Sequence, residues 1–245
     1  MIFLYILMQI TAFFILYNQN KDVVILKKNI YCTLDTETIG GASNPRGVYN
    51  IGVVIHDKDG NRLCTTSLLI MEFFDQIRND NYGKKNFSLY EERLYNGTMS
   101  AVATEEEAIS IIRNLCHFYN VKYVMAYNSG FDFMKTACCE LLADFEFIDL
   151  YLMALQTITH QKGYSRFCHE NNFITRSGKS CSTSVEAIYS FITNNPDFEE
   201  EHTALSDALN EMEIFVKCYS LHKRFTKNCH MWEASKGANK CFPKW

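Results

Sequence analysis

The sequence predicts an α/β domain built on a mixed five-stranded sheet, its first three strands antiparallel, flanked by helices. Three observations carry this expectation. First, "NIYCTLDTET" reads as a strand, and "GVYNIGVVIHDKDGNRLCTTSLLIM" reads as two more joined by a turn at Asp59-Gly60. Second, "TEEEAISIIRNLCHFYN" places Ala108, Ile111, Ile112, Leu115 and Tyr119 at helical intervals behind Thr104 and Glu107, a pair at capping-box spacing. Third, the short apolar strands "KYVMAYN" and "FEFID" then alternate with helical stretches, the order that layers helices on a partly parallel sheet.

The remaining elements follow in order. Between the third strand and the capped helix, residues 79 to 99 are polar and Gly-containing, which predicts an excursion holding one helix that is mobile or substrate-facing. "FDFMKTACCELLADF" and "LYLMALQTI" read as helices on either side of the fifth strand. "GYSRFCHENN" and "SVEAIYSFITNN" add two more, the second closed by Pro196, and a long helix follows Thr203 toward Arg224.

Composition bounds the function. A chain of 245 residues with 47% hydrophobic and 14% aromatic content can bury a sizeable core, so it is not a disordered protein. Its net charge of -4 excludes the globally basic balance of proteins that hold duplex DNA mainly by charge, and it suits a carboxylate-lined metal site. The ten cysteines are scattered without a CxxC pair, which points to reduced thiols in a cytoplasmic setting rather than a disulfide framework. No Gly-rich phosphate loop is present.

Three segments divide the chain: a hydrophobic extension over 1–28, a globular domain over 29–220, and a basic, aromatic tail over 221–245. Residues 1–17 carry no charge and are followed by Lys21, Lys27 and Lys28. As a helix they would reach roughly 26 Å, the short edge of a membrane span. A membrane anchor, a segment buried or covered by a partner, and an over-extended reading frame all fit this stretch. The tail holds six Lys or Arg against Glu233 alone, with Trp232, Phe242 and Trp245 interleaved, a composition that suits either strand binding or a solvated terminus.

The chemistry-bearing residues lie in three places. In "LDTETIGG", Asp35 and Glu37 sit two apart on a strand and so leave the same face, close enough to share an ion that relieves their repulsion. In "AYNSGFD", Asp132 opens a helix just after a buried strand. In "HTALSDA", His202 precedes Asp207 by five residues, a turn of about 500° that leaves two mid-helix side chains on different faces. The pair converges only if His202 lies on the approach to the helix and Asp207 within it.

The motifs "DTET", "N-x-x-FD" and "HTALSDA", in this chain order, resemble those of the DEDDh exonucleases, the DnaQ-like branch of the RNase H-like superfamily, over residues 29 to 220. The general look is nearest to phage and bacterial members. A sister branch carries tyrosine four residues before the last aspartate, where this chain has Thr203. Ile39 stands where a second threonine is frequent and Tyr127 where histidine often precedes the asparagine, departures that bear on substrate preference rather than on the acids.

The resemblance implies an RNase H-like fold and a 3′-5′ exonuclease that releases 5′ nucleoside monophosphates from single-stranded or frayed DNA. It implies two divalent ions, Mg²⁺ or Mn²⁺, held by Asp35, Glu37, Asp132 and Asp207, with His202 as the general base. Hard carboxylate oxygens favour such ions, and an imidazole, whose ordinary pKa is about 6.5, suits proton transfer near neutral pH. Thr38, Asn128 and Phe131 would hold the terminal nucleotide, although Phe131 serves equally as a core residue. Asp149 is expected to be structural, and the other acids around His202 solvated. RNA 3′ ends are the alternative substrate, and a tethered, replication-associated binding subunit the alternative role. A DNA polymerase or replisome partner, membrane contact through residues 1–17, and work in replication, repair or proofreading complete the expectations.

Overall fold

The structure, a computed structural model, describes residues 29–40, 47–80 and 83–221. The expected N-terminal extension, with its membrane contact, and the basic tail lie outside the described residues. Among those described, no helix is long and apolar enough to cross a membrane, and the cysteines are free thiols.

Six strands form one sheet: β1 (Ile30–Ile39), β2 (Gly47–Asp57), β3 (Arg62–Ile70), β4 (Ser100–Val102), β5 (Val121–Ala126) and β6 (Glu146–Asp149), in the order β4-β3-β2-β1-β5-β6. β1, β2 and β3 pair antiparallel, while β5 runs parallel to β1 and β6 parallel to β5. The α/β class and the antiparallel opening are as expected. The sheet has one strand more than predicted, because the three residues of β4 add in parallel to the edge of β3, too short a run to show a period. The hairpin between β2 and β3 turns at Gly60, whose φ of 82° needs glycine, and Asp57 ties it by accepting from the amides of Asp59 and Asn61.

The helices are α1 (Met71–Ile77), α2 (Gly83–Tyr95), α3 (Glu105–Phe118), α4 (Asp132–Lys135), α5 (Leu150–Thr157), α6 (Tyr164–Glu170), α7 (Val185–Thr193) and α8 (Ala204–Leu221). Alternation along β1 sorts its side chains. Cys32 and Leu34 face α3 with Ile109, Ile112 and Cys116, whereas Tyr31 packs on the other side with Met153, Ile214 and Phe215 of α5 and α8. α3 starts as its capping box predicts: the Thr104 hydroxyl accepts from the amide of Glu107 at 3.2 Å, and the Glu107 carboxylate returns to the amide of Ala103 at 2.8 Å.

Two segments depart from expectation. The polar excursion holds one helix, α2, as expected, but α1 forms ahead of it where none was expected, and the two enclose a small core of Ile39, Tyr49, Leu69, Phe74, Ile77 and Tyr90. The helix expected over 131–145 breaks after one turn: Thr136 takes extended backbone angles, its hydroxyl bonds the carbonyl of Asp132, and a 3-10 helix follows over Ala137–Ala143. Thr136 also accepts from the amide of Cys138 at 3.2 Å, so its side chain ends one helix and caps the next.

Candidate active site

The first acids come from β1. Asp35 and Glu37 stand two apart on it, opposite Gly52 and Asn50 of β2, and both are half-buried. The ladder is irregular between Glu37 and Thr38, so the strand bends as it leaves the acids.

α8 supplies the next acid, and β2 lets it come close. A Cβ at Gly52 would lie 2.1 to 2.2 Å from the backbone of Ala204 and Leu205, so only glycine admits the start of α8 against the strand at this level. Asn50, fully buried, accepts from the amide of Ala204 at 3.2 Å and so ends one of the free donors at the helix start. Both residues lie directly across the ladder from the acids of β1, so the contact that seats α8 also delivers Asp207 to them.

Asp35, Glu37 and Asp207 each offer an oxygen within 4.8 Å of the others. Asp207 is 8% exposed, and its Oδ1 is buried with no hydrogen-bond partner among the described residues. Burial pushes the Asp207 carboxyl up to about 8, with Glu200 and Glu201 adding repulsion. Desolvation also holds Asp35 well above the usual carboxylate range, reinforced by Glu211, Asp132, Glu37 and Asp207. Glu37 is raised in the same way, by desolvation and then by Asp207 and Asp132. Acids crowded to this degree ionise together only around a cation. The orphaned oxygen of Asp207 and the all-carboxylate donor set fit a hard divalent ion such as Mg²⁺ or Mn²⁺.

Asp132 stands beside this group rather than in it. It is 2% exposed at the start of α4, and its Oδ1 accepts from the Thr36 hydroxyl at 2.6 Å. Burial raises its carboxyl to about 7, with the Thr36 bond opposing the shift. His202 lies on the approach to α8, where helical geometry requires it, exposed and with a left-handed φ of 57°.

The three expected nucleotide contacts scatter in exposure. Thr38 is 9% exposed, Asn128 is exposed at a φ of 58° on the turn after β5, and Phe131 is half-buried. Asp149 is structural, as expected: it caps α5 by accepting from the amide of Tyr151 at 2.9 Å, and burial raises it to about 6.

Two acids of the run around His202, Glu211 and Glu200, depart from the solvated expectation. Glu211 was expected in solvent, but it is 2% exposed and accepts from the amide of Tyr127 at 3.0 Å. Desolvation raises it well above the ordinary range, followed by the charge of Asp132. The signal was available in the spacing, since a residue four after Asp207 shares its helix face. Glu200 is likewise half-buried, raised by burial to about 7.

No family model matches this chain, and no curated protein sequence matches it. Among solved structures, exonuclease I superposes with a TM-score of 0.50 at 13% identity, covering 82% of this chain and 43% of that one. A 3′-exonuclease that recognises the histone mRNA stem-loop gives 0.44 at 13% identity, covering 88% and 70%. Pop2p of S. pombe in its Mg²⁺- and Mn²⁺-bound form gives 0.41 at 14% identity, covering 79% and 84%. The chain thus spans less than half the length of the exonuclease I chain it matches. Its fold is the RNase H-like fold, shared with exonuclease I.

Proposed function

We propose that this protein is a metal-dependent 3′-5′ exonuclease that removes nucleotides one at a time from single-stranded or frayed DNA ends. The observation that carries the reading is the convergence of Asp35, Glu37 and Asp207, with a buried, unpartnered oxygen on Asp207, in an RNase H-like fold. Structures of related fold include an exonuclease I bound to a dT13 oligonucleotide, which supports a nucleic-acid substrate.

Asp35, Glu37 and Asp207 would hold a divalent ion, with Asp132 placed to hold a second. Bound there, two ions would supply Lewis acidity at the phosphate and lower the pKa of water. The chain's own residues do the rest. His202, exposed on the approach to α8, would take the proton from the attacking water and pass it to solvent. Thr36 holds Asp132 in one orientation through its 2.6 Å bond. Asn128, exposed on the turn after β5, would orient the terminal nucleotide together with Phe131 and with Thr38, where β1 bends.

The test is release of 5′ mononucleotides from matched DNA and RNA single strands with Mg²⁺, Mn²⁺ or EDTA. Stepwise loss from the 3′ end that needs metal, disappears in Asp207→Ala and falls by about 10²–10⁴ in His202→Ala is the expected result. Faster loss from RNA would make the protein an exoribonuclease. No cleavage of either strand with any metal would overturn the reading and turn attention to binding roles, including one beside a polymerase or replisome.

A further inference from the structure

The loop that carries His202 is gripped by a helix from a distant part of the chain. Asn86 of α2 donates through Nδ2 to the carbonyls of Glu201 at 3.0 Å and His202 at 2.7 Å. About two turns further along, Arg93 spreads its fork: Nη1 donates to the Thr203 hydroxyl at 3.0 Å, and Nη2 pairs with the Glu201 carboxylate. Thr203 closes the ring by donating to Glu201 at 2.7 Å. From the other side, Asn50 holds the amide of Ala204.

Every residue from 201 to 204 is therefore tied through its backbone or side chain, while the His202 imidazole itself stays exposed. The ties also explain how His202 keeps a left-handed φ of 57°, a strained conformation for a non-glycine residue that persists only where its surroundings enforce it.

We propose that Arg93 and Asn86 are positioning residues for His202: they set the backbone from which the imidazole reaches the attacking water. This rests on the reading of His202 as the base. Arg93 cannot be replaced by lysine in this role, because an ammonium is a point charge and cannot fork between Glu201 and Thr203. Asn86 acts on carbonyls alone and leaves the charge of the site unchanged.

The experiment is a double-mutant cycle on metal-dependent release of nucleotides, with kcat and KM measured separately for wild type, Asn86→Ala, Arg93→Lys, His202→Ala and the two doubles. Thermal midpoints of all six are recorded to identify any variant that fails to fold. In the wild-type background each clasp variant should lower kcat roughly 10- to 100-fold, the cost of a misplaced reacting group, with KM little changed. In the His202→Ala background the same variants should change kcat by less than about threefold, because the group they position is gone. Equal losses in both backgrounds, or no loss in the first, would overturn the inference. If Arg93→Lys unfolds, Asn86→Ala decides. An inactive wild type would instead sink the exonuclease reading itself, so the two failures are distinguishable.

Discussion

Strands β1 and β2 and helix α8 bury polar groups in two places. At one, His56 is fully buried against Tyr31 and Phe215 with both ring nitrogens bonded, Nε2 to the Thr33 hydroxyl at 2.8 Å and Nδ1 to the Asp57 carbonyl at 2.8 Å. At the other, about two turns back along α8, Asp35, Glu37 and Asp207 converge, and Asp207 keeps an oxygen that nothing among the described residues satisfies. The elements are the same and the treatment of polar atoms is opposite. A buried group completed by its own chain is structural, whereas one left incomplete raises the free energy of the empty fold and lowers it again when a ligand completes it.

The two places also respond to pH in opposite senses. Burial lowers His56 to about 4, so the unfolded chain binds its proton first and the stability it contributes is lost as pH falls from the usual histidine range toward 4. Burial raises Asp207 to about 8 and Asp132 to about 7, so the folded chain holds these protons longer than the unfolded one. Their contribution is present below about pH 4 and is lost as pH rises through 7 to 8.

Asp207→Asn should separate the two roles of that residue most sharply. Cleavage should vanish, while the metal-free protein should melt at a higher temperature than wild type at pH 8 to 9, with the gain shrinking at pH 5 where the wild-type carboxyl is already protonated. A lower melting point at pH 9 would show that the acid is not strained in the empty site. This is the trade between stability and activity expected of a functional residue.

Gly52→Ala comes next. The added Cβ has no room against the backbone of Ala204, so α8 must move. We expect a loss of about 1–3 kcal/mol in denaturant unfolding, typical of an overpacked contact, together with a fall in activity. Wild-type activity in this variant would mean that the seating of α8 does not set the distance of Asp207 from β1.

Mg²⁺ or Mn²⁺ should stabilise the protein by about 2.7 kcal/mol at one hundred times its dissociation constant. For a domain of this length that is roughly 5–10 °C in thermal melting. The increment should grow from pH 6 to pH 8.5, as protons cease to compete for the carboxylates. An increment independent of pH would place the ion elsewhere.

Thr33→Val, with the smallest expected effect on cleavage, is the control at the other place. It removes the partner of His56 Nε2, which should cost about 1–3 kcal/mol and leave metal-dependent cleavage unchanged. A loss of cleavage would show that the two places are coupled through β1.

Much of this was legible in the sequence, and the reason is the range over which each signal acts. Alternation in "NIYCTLDTET" places Asp35 and Glu37 on one face, and the five-residue spacing of His202 and Asp207 requires a residue before the helix and a residue within it. These are local geometries, set by bonds between near neighbours in the chain, and the structure shows both. The same holds for the Thr104 cap and the Gly60 turn.

What only the tertiary structure decided involves partners far apart in sequence. The burial of Glu211 against Tyr127, the close pass of α8 over Gly52 and the hold of α2 on residues 201 to 203 each join segments that no local period relates. Composition made Glu211 look like a solvated acid, since a charge run around a helix start is usually one. Whether a carboxylate meets water or a neighbour depends on which element packs over it, and that is settled by the fold as a whole. The sequence by itself thus determined the acids and their order along the chain; packing determined which of them meet.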